Sequence, residues 1–463
     1  MTAEYRIDST QLAISRRRFL KVTTASGVGL WATACGLGST PSSTSSTKAA
    51  SGTANVFCSA GQRWELPQRG VLPLFQQKFP SITVNIQPVP HDEATTKVQV
   101  AMSSHTTQFD VVFTDYGDTP ALQKIGSVTN LQSYLDRDPA WRDDYFADVP
   151  EAITRLYRVP ADPKGAIYGL TADGNSQLNY YRKDIFAKVG INKVPETWPD
   201  VISAAQELTS KANNQYGFIT TMQRGLFAGL QMWAFMASYG GKWFDKEEKG
   251  GWHPQFHTSA GASALETIKK LMPYAHPVTL NATDDQANQA LAQGTAVYGP
   301  VEWGTSILTN PKFTKFADSF GVGTTPRGEN SAGAHKPLMG GLGFFIPTWS
   351  KNKDAAWEWI KWCTSGNKTN PAIGKAWVEN TGQPARVSLL KEYTKVQPYF
   401  EGLAAAFPTA IPSTPILPEA IALSIAVGNE TTAAITGEKD SESALKAMDA
   451  AATSIMQKGG YYN

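Results

Sequence analysis

The feature that most constrains the fold is an alternation of strand and helix patterns in the first third of the chain. Residues 55–58 form a short run that is apolar from Val56 onward, and residues 82–86 alternate apolar with polar side chains, so both are predicted strands. Residues 109–113 are almost all apolar, which is typical of a strand buried on both faces. Helical patterns at 70–79 and 91–104 separate the three strands. This β-α-β-α-β order predicts a parallel sheet covered by helices.

In sheets of this kind the ligand crevice lies beyond the carboxyl ends of the strands. Ser59, Gly61 and Gln62 follow the first predicted strand, and Asp115 and Tyr116 follow the third. The sequence therefore predicts that these two groups of residues border one crevice.

A second run of strand and helix patterns begins near residue 167 and indicates a second α/β unit. Thr197 is a predicted N-cap with Pro199 in the first helical turn. Strands are predicted at 178–181, at 296–298 with a turn at Gly299-Pro300, and at 343–347. The predicted helices are 197–208, 225–239, 259–272, 284–292, 353–363 and a helical region over 419–456.

The first 34 residues have the layout of an export signal. A basic segment at 16–21 precedes a charge-free stretch at 22–34, which is too short and too rich in Gly, Ser and Thr for a membrane span. The arginines followed by Phe19-Leu20-Lys21 resemble the twin-arginine signal of bacteria.

Ala32-Thr33-Ala34-Cys35 ends this signal and resembles a lipobox, in which the cysteine carries lipid. Ala32 replaces the usual Leu, and the same residues form an ordinary Ala-x-Ala cleavage site, so lipidation of Cys35 and release after Ala34 both stay open. Residues 35–52 are rich in Ser, Thr and Gly and cannot bury enough apolar surface to fold. Such a tether favours anchoring to the outer face of the cell membrane through Cys35.

Charge and cysteine content exclude several classes of partner. The formal net charge is +2, and residues 1–34 hold five basic and two acidic residues, so the remainder carries −1 and offers no basic surface for nucleic acid. The three cysteines form neither a disulfide framework nor a zinc motif, and pairing of Cys58 with Cys363 stays open. The sequence predicts no cofactor and no metal.

Four segments carry a resemblance to a known family. Tyr180-Tyr181-Arg182-Lys183-Asp184 and Gln293-Gly294-Thr295-Ala296-Val297-Tyr298-Gly299-Pro300-Val301-Glu302-Trp303 resemble its first hinge and its cleft-lining segment. Phe345-Ile346-Pro347 resembles its strand-to-helix return, and Gly382-Gln383-Pro384-Ala385-Arg386 its late cleft loop. The family is that of the carbohydrate-binding proteins of ABC importers, the maltose-binding-protein-like superfamily or solute-binding protein family 1. The order and spacing of these segments over residues 53–463 make the resemblance specific.

The resemblance implies an α/β, two-lobed periplasmic-binding-protein-like fold of type II, with the ligand cleft between the lobes. Residues 53–170 and 322–380 would form one lobe, and residues 171–321 and 381–463 the other. The protein would work as a monomer that closes on a small carbohydrate and delivers it to the membrane subunits of an ABC importer.

A sugar site needs partners for the hydroxyl groups and a flat surface for the C–H face of the ring. A hydroxyl buried without a partner costs about 1–3 kcal/mol, and Trp offers a flat face with a polar edge. The polar candidates are Asp115, Asp173, Asn175, Glu302 and Arg386, and the aromatic candidates are Trp64, Trp233 and Trp303. Gly340 and Gly341 would let the backbone approach the ligand.

Each candidate also has a structural interpretation. Asp115 is equally suited to capping the next helix, Trp64 and Trp233 to core packing, and Arg386 to a surface ion pair. The resemblance adds that Asn175 occupies a cleft position that is acidic in maltose-binding proteins, which argues against maltose itself. Val301, aromatic in some relatives, is aliphatic here.

Two other classes of function compete with sugar capture. A secreted glycoside hydrolase would need two facing carboxylates, for which Asp173 and Glu302 are candidates, but no flanking motif singles them out. The sequence has no GxSxG, HExxH or phosphate-binding loop, so an enzyme is not predicted. The same fold binding a polyamine, a glycerol phosphate or another small solute stays open.

Overall fold

The computed structural model describes residues 50–462, except for residues 62, 107, 246–250, 331 and 369. The predicted signal over 1–34, Cys35 and most of the predicted tether lie outside the described residues. Residues 50–463 form one compact unit. None of the helices described there is long and apolar enough to cross a membrane.

The first sheet is built from the predicted β-α-β-α-β run, which the structure confirms. Strand β1 pairs in parallel with β2 on one side and with β3 on the other. Four further helices and three short strands follow before the chain leaves this sheet. In chain order the elements are β1 Gly52–Ser59, α1 Leu66–Lys78, β2 Ile82–Val89, α2 His91–Ser103, β3 Val111–Asp115, α3 Thr119–Lys124, α4 Gln132–Leu135, α5 Pro139–Asp148, α6 Glu151–Thr154, β4 Arg158–Val159, β5 Ala166–Ile167 and β6 Gly169–Thr171.

The second sheet is organised around one long strand, β7, which pairs antiparallel with β10, β11 and β12. Its strand order is β10-β7-β12-β14. The elements of this part are β7 Asn175–Arg182, α7 Lys183–Lys188, α8 Trp198–Leu208, α9 Leu226–Ser238, β8 Phe244–Asp245, β9 His253–Pro254, α10 Ser259–Leu271, α11 Asp284–Gln293, β10 Tyr298–Trp303, β11 Phe320–Gly323 and β12 Leu338–Gly340.

The chain then returns to the first sheet, where β13 pairs antiparallel with both β3 and β6. The last elements are β13 Leu342–Phe345, α12 Lys353–Cys363, α13 Pro371–Glu379, α14 Val387–Glu392, α15 Tyr399–Ala406, β14 Ile411–Pro412, α16 Ala420–Ile435 and α17 Ser441–Lys458. The three tryptophans of α12 are buried, as expected for packing residues: Trp357, Trp359 and Trp362.

Three crossings connect the sheets, between β6 and β7, between β12 and β13 and between β13 and β14, and the first two touch each other. The first lies between β6 and β7, and the second is Gly341, between β12 and β13. Gly341 has φ +141°, and a Cβ there would lie 2.3 Å from the carbonyl oxygen of Asp173, so only glycine fits. The lobe bounds remain a prediction, but strand pairing puts the second crossing at Gly341 rather than at residue 322.

The predicted strand 296–298 with a turn at Gly299-Pro300 is wrong. Strand β10 begins at Tyr298 and continues through the Gly-Pro pair to Trp303, with an irregularity in its pairing to β7 between Gly299 and Glu302. Proline is tolerated there because β10 is an edge strand of its sheet and the bulge removes a pairing position. The predicted N-cap is confirmed, since Thr197 and Asp200 form a capping box on α8.

Candidate functional site

Seven polar side chains from separate segments converge beside the first two crossings. Two of them follow the parallel strands β1 and β3 at their carboxyl ends, which is where a crevice is expected. The others come from the first crossing, from β7 and β10, from the start of α11 and from the loop before α14. We call this group the polar cluster: Arg63, Asp115, Asp173, Asn175, Asp284, Glu302 and Gln383.

Arg63 holds the centre of the polar cluster. Its Nη1 donates a hydrogen bond to Oε1 of Gln383 at 3.0 Å, and its guanidinium lies 5.1 Å from the ring centroid of Trp64. Burial raises the pKa of three carboxyl groups, those of Asp115, Asp173 and Asp284, and the positive charge of Arg63 opposes this rise in each of them. One guanidinium therefore faces carboxylates of the first sheet and of helix α11.

Two carboxyl groups lie on the side of the first sheet. Burial raises the pKa of Asp115 to about 7 and that of Asp173 to about 6, against a usual value of 3.8. Oδ1 of Asp115 accepts a 2.7 Å hydrogen bond from the amide of Gly117, so Asp115 also caps the following turn. Oδ2 of Asp173 accepts a hydrogen bond from the amide of Leu342 at 3.2 Å.

Two more carboxyl groups lie on α11 and on strand β10 of the second sheet. Burial raises the pKa of Asp284, the first residue of α11, to about 6. Burial also raises the pKa of Glu302 well above its usual range, and the nearby charge of Asp284 raises it further. Burial therefore favours the protonated form of Glu302, which both donates and accepts hydrogen bonds.

Asn175 and Gln383 are connected through Gly304. Nε2 of Gln383 donates to the carbonyl oxygen of Gly304 at 2.7 Å, and a Cβ on Gly304 would lie 2.7 Å from Oδ1 of Asn175. The glycine therefore lets both amide side chains approach the backbone at the end of β10. Asn175 is fully buried, and its Oδ1 accepts from the amide of Ser176.

The polar cluster contains hydrogen-bonding atoms that no atom of the described residues satisfies. They include acceptors and donors: Asp173 Oδ1, Asp284 Oδ1, Glu302 Oε1, Asn175 Nδ2 and Arg63 Nε. Buried polar groups are almost always paired in native proteins, because an unpaired one costs about 1–3 kcal/mol. A polar ligand with several hydroxyl groups supplies the missing partners.

Trp303 lies on the second sheet close to the crossings. A Cβ on Gly340 would be 3.0 Å from Cζ3 of Trp303, so the indole packs directly on the glycine backbone. Trp303 is half-buried and packs against the core of the second sheet, which leaves part of its ring open. Of the residues predicted from the sequence, the structure thus brings together Asp115, Asp173, Asn175 and Glu302. Trp303 and Gly340 lie on strands that pair with β7. Contact of any of these six residues with ligand remains a prediction.

The structure does not bring Arg386 into the polar cluster. Its guanidinium donates to Asp144 at 2.9 Å and to Asp148 at 3.2 Å, both on α5, and to the carbonyl oxygen of Thr364 at 2.8 Å. Arg386 is 3% exposed. It therefore ties the loop before α14 to α5 through an ion pair with two partly exposed aspartates, in line with the structural interpretation of Arg386, and its contact with ligand stays a prediction.

Trp233 also lies elsewhere. Its Nε1 donates to the carbonyl oxygen of Pro412 at 2.9 Å, and its ring lines a separate cavity of about 860 Å³. Trp64 is half-buried and packs against the core of the first sheet beside Arg63. We call the separate cavity the aromatic cavity; five of its lining residues are Trp233, Trp243, Phe244, Trp252 and Tyr461.

Three members of the polar cluster were not predicted from the sequence: Arg63, Asp284 and Gln383. Arg63 comes directly after the predicted crevice residues, and Gln383 stands in the segment quoted for the late cleft loop. Asp284 is the first residue of a predicted helix, where an acidic residue is ordinarily explained by the helix dipole. No group of three or more His, Cys, Asp or Glu within the described ranges is placed to hold a metal ion.

Comparisons with known proteins agree with this arrangement. The sequence profile of a family described as bacterial extracellular solute-binding protein matches residues 62–365. A mannitol-binding protein of Pseudomonas aeruginosa is 26% identical over 317 residues, which cover 64% of this chain and 71% of that protein.

Solved structures share the fold. An ABC transporter solute-binding protein of Agrobacterium radiobacter K84 in complex with ribitol has a TM-score of 0.75 at 21% identity, covering 88% of this chain and 99% of that one. A solute-binding protein of Agrobacterium vitis S4 with bound D-mannitol has a TM-score of 0.74 at 24% identity, covering 88% and 98%. Both likenesses establish the two-lobed fold of this chain.

Proposed function

The chain belongs to the bacterial extracellular solute-binding proteins, and we propose that its polar cluster binds a small polyol or sugar for delivery to an ABC importer. The observation that carries the proposal is the set of buried, unpaired donors and acceptors among the described residues of the cluster. Members of this family are transport proteins, so the chain is a binding protein and not an enzyme. A relative named mannitol-binding protein and a solved solute-binding protein in complex with ribitol support a polyol.

The chemistry of the polar cluster suits a polyol. Every hydroxyl group of such a ligand is both a donor and an acceptor, and the cluster offers both kinds of partner. Asp173 and Asp284 supply carboxylate oxygens, while Arg63 and Asn175 supply unpaired N–H groups. Hydrogen bonds to charged groups contribute about 1.5–3 kcal/mol, so a few of them hold a small neutral solute.

The aromatic content of the cleft favours a short ligand. A long oligosaccharide needs several ring faces in succession. Trp303 is one half-buried indole beside the crossings, and the neighbouring Val301 is aliphatic and 2% exposed. This supports a linear polyol or a monosaccharide as the preferred ligand.

The charge of the polar cluster disfavours a phosphorylated ligand. Three carboxyl groups with pKa values of about 6 to 7 face one guanidinium, so a phosphate group would meet more negative than positive charge at neutral pH. The same excess of carboxyl groups supports a second candidate ligand, a polyamine. A glycerol phosphate is the least favoured of the alternatives.

Arg63 also suggests how ligand binding couples to lobe closure. The proposed lobes, 53–170 with 322–380 and 171–321 with 381–463, each contribute residues that face Arg63. A ligand that pairs with both sides stabilises the closed form over the open form, and only such differential binding shifts the equilibrium. Closure then presents the loaded protein to the importer as a monomer.

We further propose that the mature protein is exported through a twin-arginine signal and anchored by lipid on Cys35. The tether over 35–52 supports anchoring, because a flexible spacer lets a moored domain reach its importer. Cys35→Ala should move the protein from the membrane fraction to the soluble fraction of cells. Retention of the processed variant in the membrane fraction would reject lipid anchoring.

Thermal unfolding with a ligand panel tests the proposed function. A ligand that binds only the native state, at one hundred times its Kd, adds about 2.7 kcal/mol to the free energy of unfolding of the protein. The melting temperature of the protein therefore rises. We expect mannitol or ribitol to raise the melting temperature and glycerol 3-phosphate to have no effect. A rise with spermidine alone would establish the second candidate, and no rise with any polyol or sugar would reject the proposal.

A further inference from the structure

The aromatic cavity is separate from the polar cluster. None of the seven cluster residues lines it. In the second sheet it borders Pro412 on β14, at one edge, whereas Glu302 and Trp303 lie on β10 at the opposite edge. Its volume of about 860 Å³ lies in the range of small-molecule sites.

Five aromatic rings follow one another along one wall of the aromatic cavity. Each ring touches the next, so the wall is continuous rather than a set of isolated side chains. The centroid distances are 5.7 Å for Trp233–Trp243, 6.4 Å for Trp243–Phe244, 5.6 Å for Phe244–Trp252 and 5.1 Å for Trp252–Tyr461. Such a wall offers both ring faces and ring edges to an aromatic guest.

The aromatic wall is held in place by polar contacts behind it. The hydroxyl group of Tyr461 donates to Oε2 of Glu419 at 2.7 Å, and that of Tyr462 donates to the carbonyl oxygen of Trp252 at 2.7 Å. Trp252 has φ +66°, a region that a bulky residue enters only when its surroundings hold it there. The ring of Trp252 is therefore positioned by the fold.

Prolines make up much of the remaining wall. They come from α3, from the segment after β4 and from the β14 region: Pro120, Pro160, Pro412, Pro415 and Pro418. Proline fixes φ, so these walls lose little conformational freedom when a ligand binds. The segments that carry these prolines are thus locally stiff.

Charges at the aromatic cavity are mainly positive. Lys124, Arg158 and Lys242 line it, against one carboxylate, that of Asp162. Lys242 is exposed, whereas Lys124 pairs with Glu419 at 3.2 Å. A mouth with excess positive charge attracts an anionic group and repels a cationic one.

We propose that the aromatic cavity is a second small-molecule site, which takes a flat aromatic compound carrying a negative charge. The rings and prolines bind the flat part, and Lys242 with Arg158 attracts the anionic group. This site is independent of the polyol site, so its occupancy does not require the proposed function to be correct.

Fluorescence titration with two matched dyes tests this proposal. 1-Anilinonaphthalene-8-sulfonate is a flat aromatic anion, and N-phenyl-1-naphthylamine has the same rings without the sulfonate. We expect the sulfonate dye to bind the native protein with one-to-one stoichiometry and at least about fivefold more tightly than the neutral dye at low ionic strength. Equal affinity for both dyes would remove the anionic part of the proposal.

Two pairs of variants locate the bound dye. Ala161 lines the aromatic cavity, so Ala161→Trp should fill it and abolish binding of both dyes, whereas Ala147→Trp, at an exposed position outside the cavity, should not. Lys242→Glu should weaken the sulfonate dye at least about threefold and leave the neutral dye unchanged, and exposed Lys395→Glu should change neither.

Polyol binding, measured in Lys242→Glu, should stay at the wild-type value, because Lys242 is exposed and lies outside the polar cluster. Sulfonate-dye affinity unchanged by both Ala161→Trp and Lys242→Glu would overturn the proposal, because the dye would then occupy another surface. Loss of dye binding in Lys242→Glu alone still supports the site if Ala161→Trp fails to fold.

Discussion

Nη1 of Arg63 donates a 3.0 Å hydrogen bond to Oε1 of Gln383, a residue 320 positions further along the chain. Gln383 in turn donates to the carbonyl oxygen of Gly304 at 2.7 Å. One short chain of hydrogen bonds therefore connects the end of β1, the loop before α14 and the end of β10. This connection fixes the guanidinium among the carboxyl groups of the polar cluster.

Removal of Arg63 should weaken solute binding far more than it weakens the fold. Arg63→Ala deletes a charged donor and leaves Asp173 and Asp115 without their counter-charge, so we expect at least a tenfold loss of polyol affinity, about 1.4 kcal/mol. Calorimetric titration measures the change. Arg69→Ala removes an exposed arginine paired with Glu65 and serves as the matched control with unchanged affinity.

Truncation of Trp303 separates ligand contact from core packing. We expect Trp303→Ala to reduce ligand affinity by about 1–3 kcal/mol with little change in the melting temperature of the empty protein, because the indole is only half-buried. Trp359→Ala is the control: it is fully buried, and its truncation should cost about 3–5 kcal/mol of folding stability. Intact affinity with a large loss of stability in Trp303→Ala would assign Trp303 to the core.

The raised pKa of Asp115 predicts a pH dependence of stability. Its pKa is 3.8 ordinarily and about 7 in the folded protein, so between these values the folded state holds a proton that the unfolded chain releases. The free energy of unfolding contributed by this group therefore falls as pH rises from about 4 to about 7 and is constant above.

Asp115→Asn removes this titration. Urea unfolding measures the free energy of unfolding of the variant and of wild type at pH 5 and at pH 8. The difference, variant minus wild type, should be more positive at pH 8 than at pH 5. Asp136→Asn, at an exposed carboxylate, should follow the wild type at both values. Parallel behaviour of Asp115→Asn and wild type would show that Asp115 titrates as an exposed group does.

Loss of Arg386 should destabilise the fold without affecting the ligand. Arg386→Ala leaves Asp144 and Asp148 without their buried partner, and breaking a buried ion pair costs about 3–5 kcal/mol. Chemical denaturation measures this loss. Arg142→Ala is the control, because Arg142 lies on the same helix as Asp144 but is much more exposed than Arg386. This control should cost less than about 1 kcal/mol of folding stability. A tenfold loss of polyol affinity in Arg386→Ala would show that Arg386 contributes to ligand binding.

The strand and helix order of the first sheet was predictable because periodicity and turn residues are local signals. Asp115, at the end of a buried strand, was placed at the crevice by the same logic, and the structure puts it in the polar cluster. Topology alone was sufficient there, since the carboxyl ends of parallel strands share one edge.

The remaining site residues depended on side-chain direction, which sequence spacing does not give. Gln383 and Arg386 stand three positions apart in one loop, yet the first faces Arg63 and the second turns to α5. Arg386 was predicted as the site residue because it is charged, but its guanidinium forms an ion pair with two aspartates of α5. The path of β10 was likewise misjudged, because a Gly-Pro pair marks a turn in most contexts and an edge-strand bulge in this one.

The crystal structure of the protein with D-mannitol or ribitol tests the central claim most directly. The account predicts ligand density beside the first two crossings, with hydroxyl groups about 2.7–3.2 Å from the carboxyl oxygens of Asp173 or Glu302 and from Arg63. Polyol density elsewhere, with the polar cluster filled by water alone at saturating ligand, would contradict it.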